Sequence, residues 1–242
     1  IIQSASDMTV RAGSYASDGT SVVNAGDALD VVFNGDANIA GHIVASKALS
    51  LSAANLAISG TSNEGDVSVV GSASGNVTLQ AGALQNAGNL LADGADATLS
   101  VAVTGSMTSS GAILAKGGSV ELKVGALGNS GIVEAADSVS VKAEQSLSNT
   151  GTLFAGTDLT AQSMGKFSNA SGQIGGAAVA LNSVGGFENT EGRVAAQTGD
   201  LTLGPASLQN ASGILQPQSN VRLTVRGLFN HQGPILAQPV GR

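Results

Sequence analysis

The chain has 242 residues, of which 42% are hydrophobic and only 2% aromatic, with 34 glycines, no tryptophan and no cysteine. That apolar content excludes a disordered chain, and the missing thiols exclude disulfides and cysteine metal sites. The formal charge of −7 and a pI near 4.6 argue against nucleic acid and anionic membranes, both of which reward clustered Lys and Arg, and no apolar run approaches the ~20 residues of a membrane span.

Residues 1–83 alternate apolar and polar side chains as half-buried strands do, at Met8-Thr9-Val10, Leu29-Asp30-Val31, Leu49-Ser50-Leu51, Val67-Ser68-Val69 and Val77-Thr78-Leu79. The first two intervals are 21 and 20 residues. Between Leu49 and Val77 the pattern sets no register. The Gly, Ser, Asn and Glu clustered over 59–75 predict a protruding loop there. The start, Ile-Ile-Gln-Ser, lacks the basic and apolar regions of a secretory leader. Both ends lie in mid-pattern, which predicts a segment of a longer protein.

From Leu84 one phrase recurs eight times: a large apolar residue, Asn two positions on, Gly two or three later, then an aliphatic two after the Gly. The openers are Leu84, Met107, Leu127, Leu147, Phe167, Phe187, Leu208 and Leu228. So short a fixed period predicts a solenoid in which each repeat is one coil. The aliphatics after the Gly are Leu90, Ile113, Val133, Leu153, Ile174, Val194, Leu215 and Ile235, and a small residue follows two later, ending at Ala237. A third alternating stretch completes each copy, as in Val120/Leu122/Val124 and Val139/Val141/Ala143. Three short strands and three corners in about 20 residues predict a triangular coil of an all-β parallel β-helix. About 12 such coils would form one continuous rod, less regular over 1–83 and regular over 84–242.

The Asn column comprises Asn86, Asn129, Asn149, Asn169, Asn189, Asn210 and Asn230, with Ser109 in the remaining place. Each Asn follows its opener by two, so it shares the inward face. It is therefore expected to bond the turn backbone and the Asn of adjacent coils, and not a sugar. The recurring Gly reads as a turn residue at positive φ.

Chemistry-bearing residues are sparse. A β-helix lyase or hydrolase needs paired carboxylates on one face. Asp27, Asp30 and Asp36 form the densest acidic run, and Asp93 and Asp96 flank a turn; solvated turn positions account for all five. His42 and His231 lie far apart and have no triad or ligand partners in the pattern, so no catalytic residue, metal site or cofactor is expected. Lys123 and Lys142 occupy one outward position on adjacent coils, and Arg222 and Arg226 lie on or just past the equivalent strand further along. These four are the candidates for contact with a sulfated glycan. Against this stands the ordinary role of strand-face charges in discouraging lateral aggregation.

Residues 146–174, SLSNTGTLFAGTDLTAQSMGKFSNASGQI, resemble the haemagglutinin repeats of filamentous haemagglutinins and of contact-dependent inhibition exoproteins, which are exported by two-partner secretion. The likeness covers about 84–237 well and 1–83 loosely. It implies a right-handed β-helix shaft on the bacterial surface, exported through an outer-membrane transporter and used in adhesion to a glycan or receptor of a host or neighbouring cell. The chain has no Arg-Gly-Asp tripeptide and no recognisable secretion or toxin domain. An internal shaft segment of a secreted adhesin, a monomeric rod without enzymatic activity, is thus the first expectation. The stalk of a toxin-delivery exoprotein is the second. A carbohydrate-active β-helix enzyme is the third.

Overall fold

The computed structural model describes residues 1–60 and 67–236 of the chain. The described residues form strands and turns without any helix. Strands of successive coils pair in parallel, and coils lie about 20 residues apart along the chain. One face is an 11-stranded sheet running from Ile2–Ser4 to Ile214–Pro217. The solenoid therefore has 11 turns, one fewer than the residue count suggests. At ~4.8 Å per turn the rod is ~53 Å long.

One coil is enlarged. Leu49 pairs directly with Val77, so 28 residues close this circuit. The excess lies between Ile58 and Val69, at the corner that residues 87–88 fill in the next coil. Of the loop expected over 59–75, residues 61–66 lie outside the described set. Val67-Ser68-Val69 is not a strand of the first face: Val67 is exposed, and Val69–Ser72 pairs on the 11-stranded sheet with His42–Ala45.

The three faces differ in construction. In five central coils the first two edges fuse into one strand: Leu49–Ile58, Val77–Asn86, Leu99–Ser109, Val120–Asn129 and Val139–Asn149. Register shifts such as that between Val124 and Ala126 bend these strands where a corner was expected. Beyond them the edges separate, as in Asp158–Ser163 and Phe167–Ser168. The change coincides with serine entering an inward column that was Val103, Val124 and Ala143. The buried Ser183 hydroxyl is shared between the carbonyls of Gly186 (2.7 Å) and Gly165 (2.8 Å), which pins a true corner.

The core is a stack of aliphatic columns. Leu90, Ile113, Val133, Leu153, Ile174, Val194 and Leu215 stand in register on the third face and are at most 2% exposed. Each such side chain stabilises by ~1.5–3 kcal/mol when covered, and only a neighbouring coil covers it. Phe167 and Phe187 meet edge to face at 4.9 Å among the openers. Ala92, Ala115, Ala135, Ala155 and Ala196 form the small column, whose last expected member, Ala237, lies outside the described residues.

The repeated glycine has a different cause from the one expected. None of Gly88, Gly111, Gly131, Gly151, Gly172, Gly192 or Gly213 adopts positive φ. A Cβ at Gly151 would land on the Gly131 carbonyl, and one at Gly131 on the Gly111 carbonyl. The corner backbones stack too closely for any side chain. Positive φ falls one residue earlier, at Ser171, Glu191 and Ser212, where Asn and Gly are three apart and not two.

Candidate functional site

The Asn side chains lie inside the rod. Asn86, Asn129, Asn149, Asn169, Asn189 and Asn210 are at most 2% exposed, so none presents its amide to a ligand. Their Nδ2 groups donate up the column: Asn129 to Asn149 Oδ1 at 2.8 Å, then Asn149 to Asn169, Asn169 to Asn189 and Asn189 to Asn210, each at 2.7 Å. From Asn129 to Asn210 each Nδ2 also donates to the carbonyl of its own corner glycine, as from Asn149 to Gly151 at 3.1 Å. Ser109 interrupts the ladder. Its hydroxyl accepts from Asn86 at 3.1 Å but is too short to reach on, and Asn129 Oδ1 is left buried without a partner.

Asn230 is not part of the column. Leu208 pairs with Phe229, and Asn210 with His231. The chain takes six residues from Leu223 to Phe229 but five from Leu203 to Leu208. That extra corner residue flips the alternation. Leu228, the expected opener, is consequently 73% exposed. His231 ends the ladder, with Nδ1 3.2 Å from Asn210 Nδ2, and its ring stacks on Phe229. An amide nitrogen only donates, so a hydrogen bond here uses Nδ1 as its acceptor.

The four basic candidates split into two pairs. Lys123 and Lys142 are register partners, so they are adjacent. Each sits beside a carboxylate of its own strand: Lys123 Nζ is 3.8 Å from Glu121 and Lys142 Nζ 2.7 Å from Glu144. Arg222 pairs with Thr202 on the same face, and Arg226 is exposed just beyond it. Four turns separate these arginines from Lys142, or ~19 Å. The strand face therefore carries balanced charge and not one basic patch.

Four of the five acidic candidates, all but Asp96, are likewise occupied. Lys47 Nζ is 2.5 Å from Asp27, Arg11 is 3.2 Å from Asp30, the Asn55 amide donates to Asp36 at 2.7 Å, and Lys116 is 3.1 Å from Asp93. Among the described residues no group of three or more His, Cys, Asp or Glu converges on one point. Among the described residues four groups have shifted pKa values, and every shift favours the charged form. Hydroxyls of Ser21 and Thr20 lower Asp18, and a bond from Lys166 lowers Glu188. The Asn220 backbone N–H lowers Asp200, and Asp27 raises Lys47. A general acid or base needs the opposite, a pKa drawn toward neutrality.

Several grooves mark the outer surface, and two of them run over polar strand faces. One, of about 550 Å³, follows the second face across five coils and is lined by small polar residues, among them Gln85, Thr108, Ser130, Ser148 and Thr150. The other, of about 350 Å³, lies on the third face and includes Phe154, Gln173, Arg193 and Gln216. Sequence reasoning passed over both because it weighed only charged outward residues. The available signal was Phe154 itself, a bulky ring on the solvent side of an alternation whose inward member is Leu153. No protein-family profile matches the chain, and no curated protein or solved structure matches it significantly.

Proposed function

We propose that this chain is an internal shaft segment of a large secreted bacterial surface adhesin, which spaces binding elements away from the cell and supports attachment to host or neighbouring cells. The observation that carries this reading is the economy of the repeat. The aliphatic columns, Asn ladder and corner glycines account for nearly every inward or tightly packed position of the regular coils by stacking alone. Such a chain supplies length and rigidity. The resemblance of residues 146–174 to haemagglutinin repeats supports the same reading, including export by a two-partner transporter.

An antibody raised against the purified segment should label intact, unpermeabilised cells of the source organism, and deleting whole coils from the full-length protein should reduce attachment. Labelling that requires permeabilised cells would overturn the reading. The charged strand face gives a narrower test: if it contacts sulfated glycan, Lys123→Ala with Lys142→Ala lowers the salt needed to elute the segment from heparin. Unchanged elution at low salt removes that contact from the proposal.

A further inference from the structure

We infer that the third face carries a sugar-binding notch built around Phe154, which takes one neutral hexopyranose unit of a glycan. The chain has six aromatic side chains. Tyr15 stacks on Phe33 and Phe167 packs on Phe187, both pairs on the core side, while Phe229 belongs to the last turn. Phe154 alone stands in an outward column of the regular coils, with Glu134 and Gly175 as its register neighbours.

Gly175 determines how the ring lies. A Cβ there would sit 3.1 Å from Cδ2 and 3.5 Å from Cε2 of Phe154. The ring therefore leans along the rod over the space a side chain would occupy. It is half-buried, resting on the sheet and open to solvent on the remainder. Around it, Gln173, Arg193 and Gln216 line a groove of about 350 Å³ with Gly175 and Ala195 as part of its lining. Arg193 Nη2 donates to Gln216 Oε1 at 2.5 Å, which holds the guanidinium in place.

A pyranose has an apolar C–H face and a rim of hydroxyls that both donate and accept. An exposed aromatic face suits the first. Side-chain amides, which also donate and accept, suit the second. The volume falls near the lower end of the ~300–1,000 Å³ typical of small-ligand sites. The ligand is neutral because Glu134 beside the ring offsets the one cation of the lining, Arg193. This goes beyond the shaft reading, since it gives the shaft a contact of its own on a different face from Lys123 and Lys142.

Saturation-transfer NMR on the purified chain with cellohexaose, maltohexaose and oligogalacturonate tests it. The expected result is saturation of ring C–H protons in a neutral oligomer at about 5 mM and none in the acidic one. Phe154→Ala should weaken binding at least about tenfold. Gly175→Leu, which fills the notch while keeping the ring, should do the same, and Lys142→Ala should leave the signal unchanged. Circular dichroism confirms that each variant retains its strands. No saturation in either neutral oligomer, saturation of the acidic one alone, or equal saturation in Phe154→Ala would overturn the proposal. None of these results bears on surface labelling, so the two readings fail separately.

Discussion

Replacing Asn169 with Leu asks what one rung of the amide ladder contributes. Its Nδ2 donates to Asn189 Oδ1 at 2.7 Å, Gly172 O at 3.1 Å and Arg193 O at 3.4 Å, and its Oδ1 accepts from Asn149 at 2.7 Å. Leu has a similar volume but removes all four contacts. Asn149 Nδ2 keeps Gly151 O at 3.1 Å and Gln173 O at 3.2 Å, and Gly172 O keeps the Arg193 N–H at 2.9 Å. The group with nothing left is Asn189 Oδ1, fully buried. One orphaned acceptor costs about 1–3 kcal/mol and the lost bonding about 1 more. Asn210→Leu provides a parallel. There Asn189 Nδ2 keeps Gly192 O at 3.1 Å and Ile214 O at 3.4 Å, but the buried Gly213 O loses its 2.8 Å bond from Asn210 Nδ2, which Pro234 cannot replace because it has no N–H. Each variant therefore leaves one buried acceptor unpaired and should melt about 4–8 °C below the unsubstituted chain, taking ~2 kcal/mol at 2–4 °C per kcal/mol for a chain of this size. Thermal melts followed by far-ultraviolet circular dichroism measure the losses. An unchanged Tm for either variant would refute the reasoning.

Other perturbations test the remaining parts of the coil. Ser109→Asn supplies the missing donor to Asn129 Oδ1 and should raise stability by about 1 kcal/mol in a urea titration; a loss would mean that the column is too tight there. Gly151→Ala drives a Cβ into the Gly131 carbonyl and should cost at least about 3 kcal/mol. In contrast, Gly128→Ala finds its nearest atom, Thr108 Cγ2, at 3.8 Å and should be neutral or stabilise by about 0.4–1 kcal/mol. Similar melting of these two variants would contradict the close-approach account. Lys166 holds Glu188 below its ordinary pKa, so the pair stabilises the fold above the usual carboxylate range, and that contribution is lost as pH falls through the lowered folded value. Lys166→Met should lower Tm slightly near pH 7, by no more than about 1 kcal/mol of stability. The deficit should close in acid; a deficit constant with pH would point to packing instead of charge.

The inward columns were legible in the sequence because alternation and a fixed period overdetermine them. Leu90, Leu153 and Val194 occupy equivalent places whatever the turns between them do. The Asn column was legible through its offset of two from the opener. What the pattern hid depended on distances between coils or on corner lengths. The glycine column marks carbonyl crowding from the coil below, which no single-coil motif encodes. The exchange of Asn230 for His231 hinges on one extra residue in a corner that carries no fixed motif. The fusion of two edges into a single strand is foreshadowed only weakly, by Val or Ala where Ser163 and Ser183 later stand.

The enlarged circuit from Leu49 to Val77 separates two quantities that are easily conflated. Its strands join the same ladders at the same spacing as every other coil, although the corner after Ile58 is far longer than the one after Asn86. Residues added at a corner incur only the slowly growing closure cost of a longer loop and add nothing along the axis. A full period adds ~4.8 Å. The reach of such a filament is therefore counted in whole turns, while its girth can be decorated at corners without changing that count. Insertion and deletion act on independent dimensions of the molecule, one radial and continuous, the other axial and stepwise.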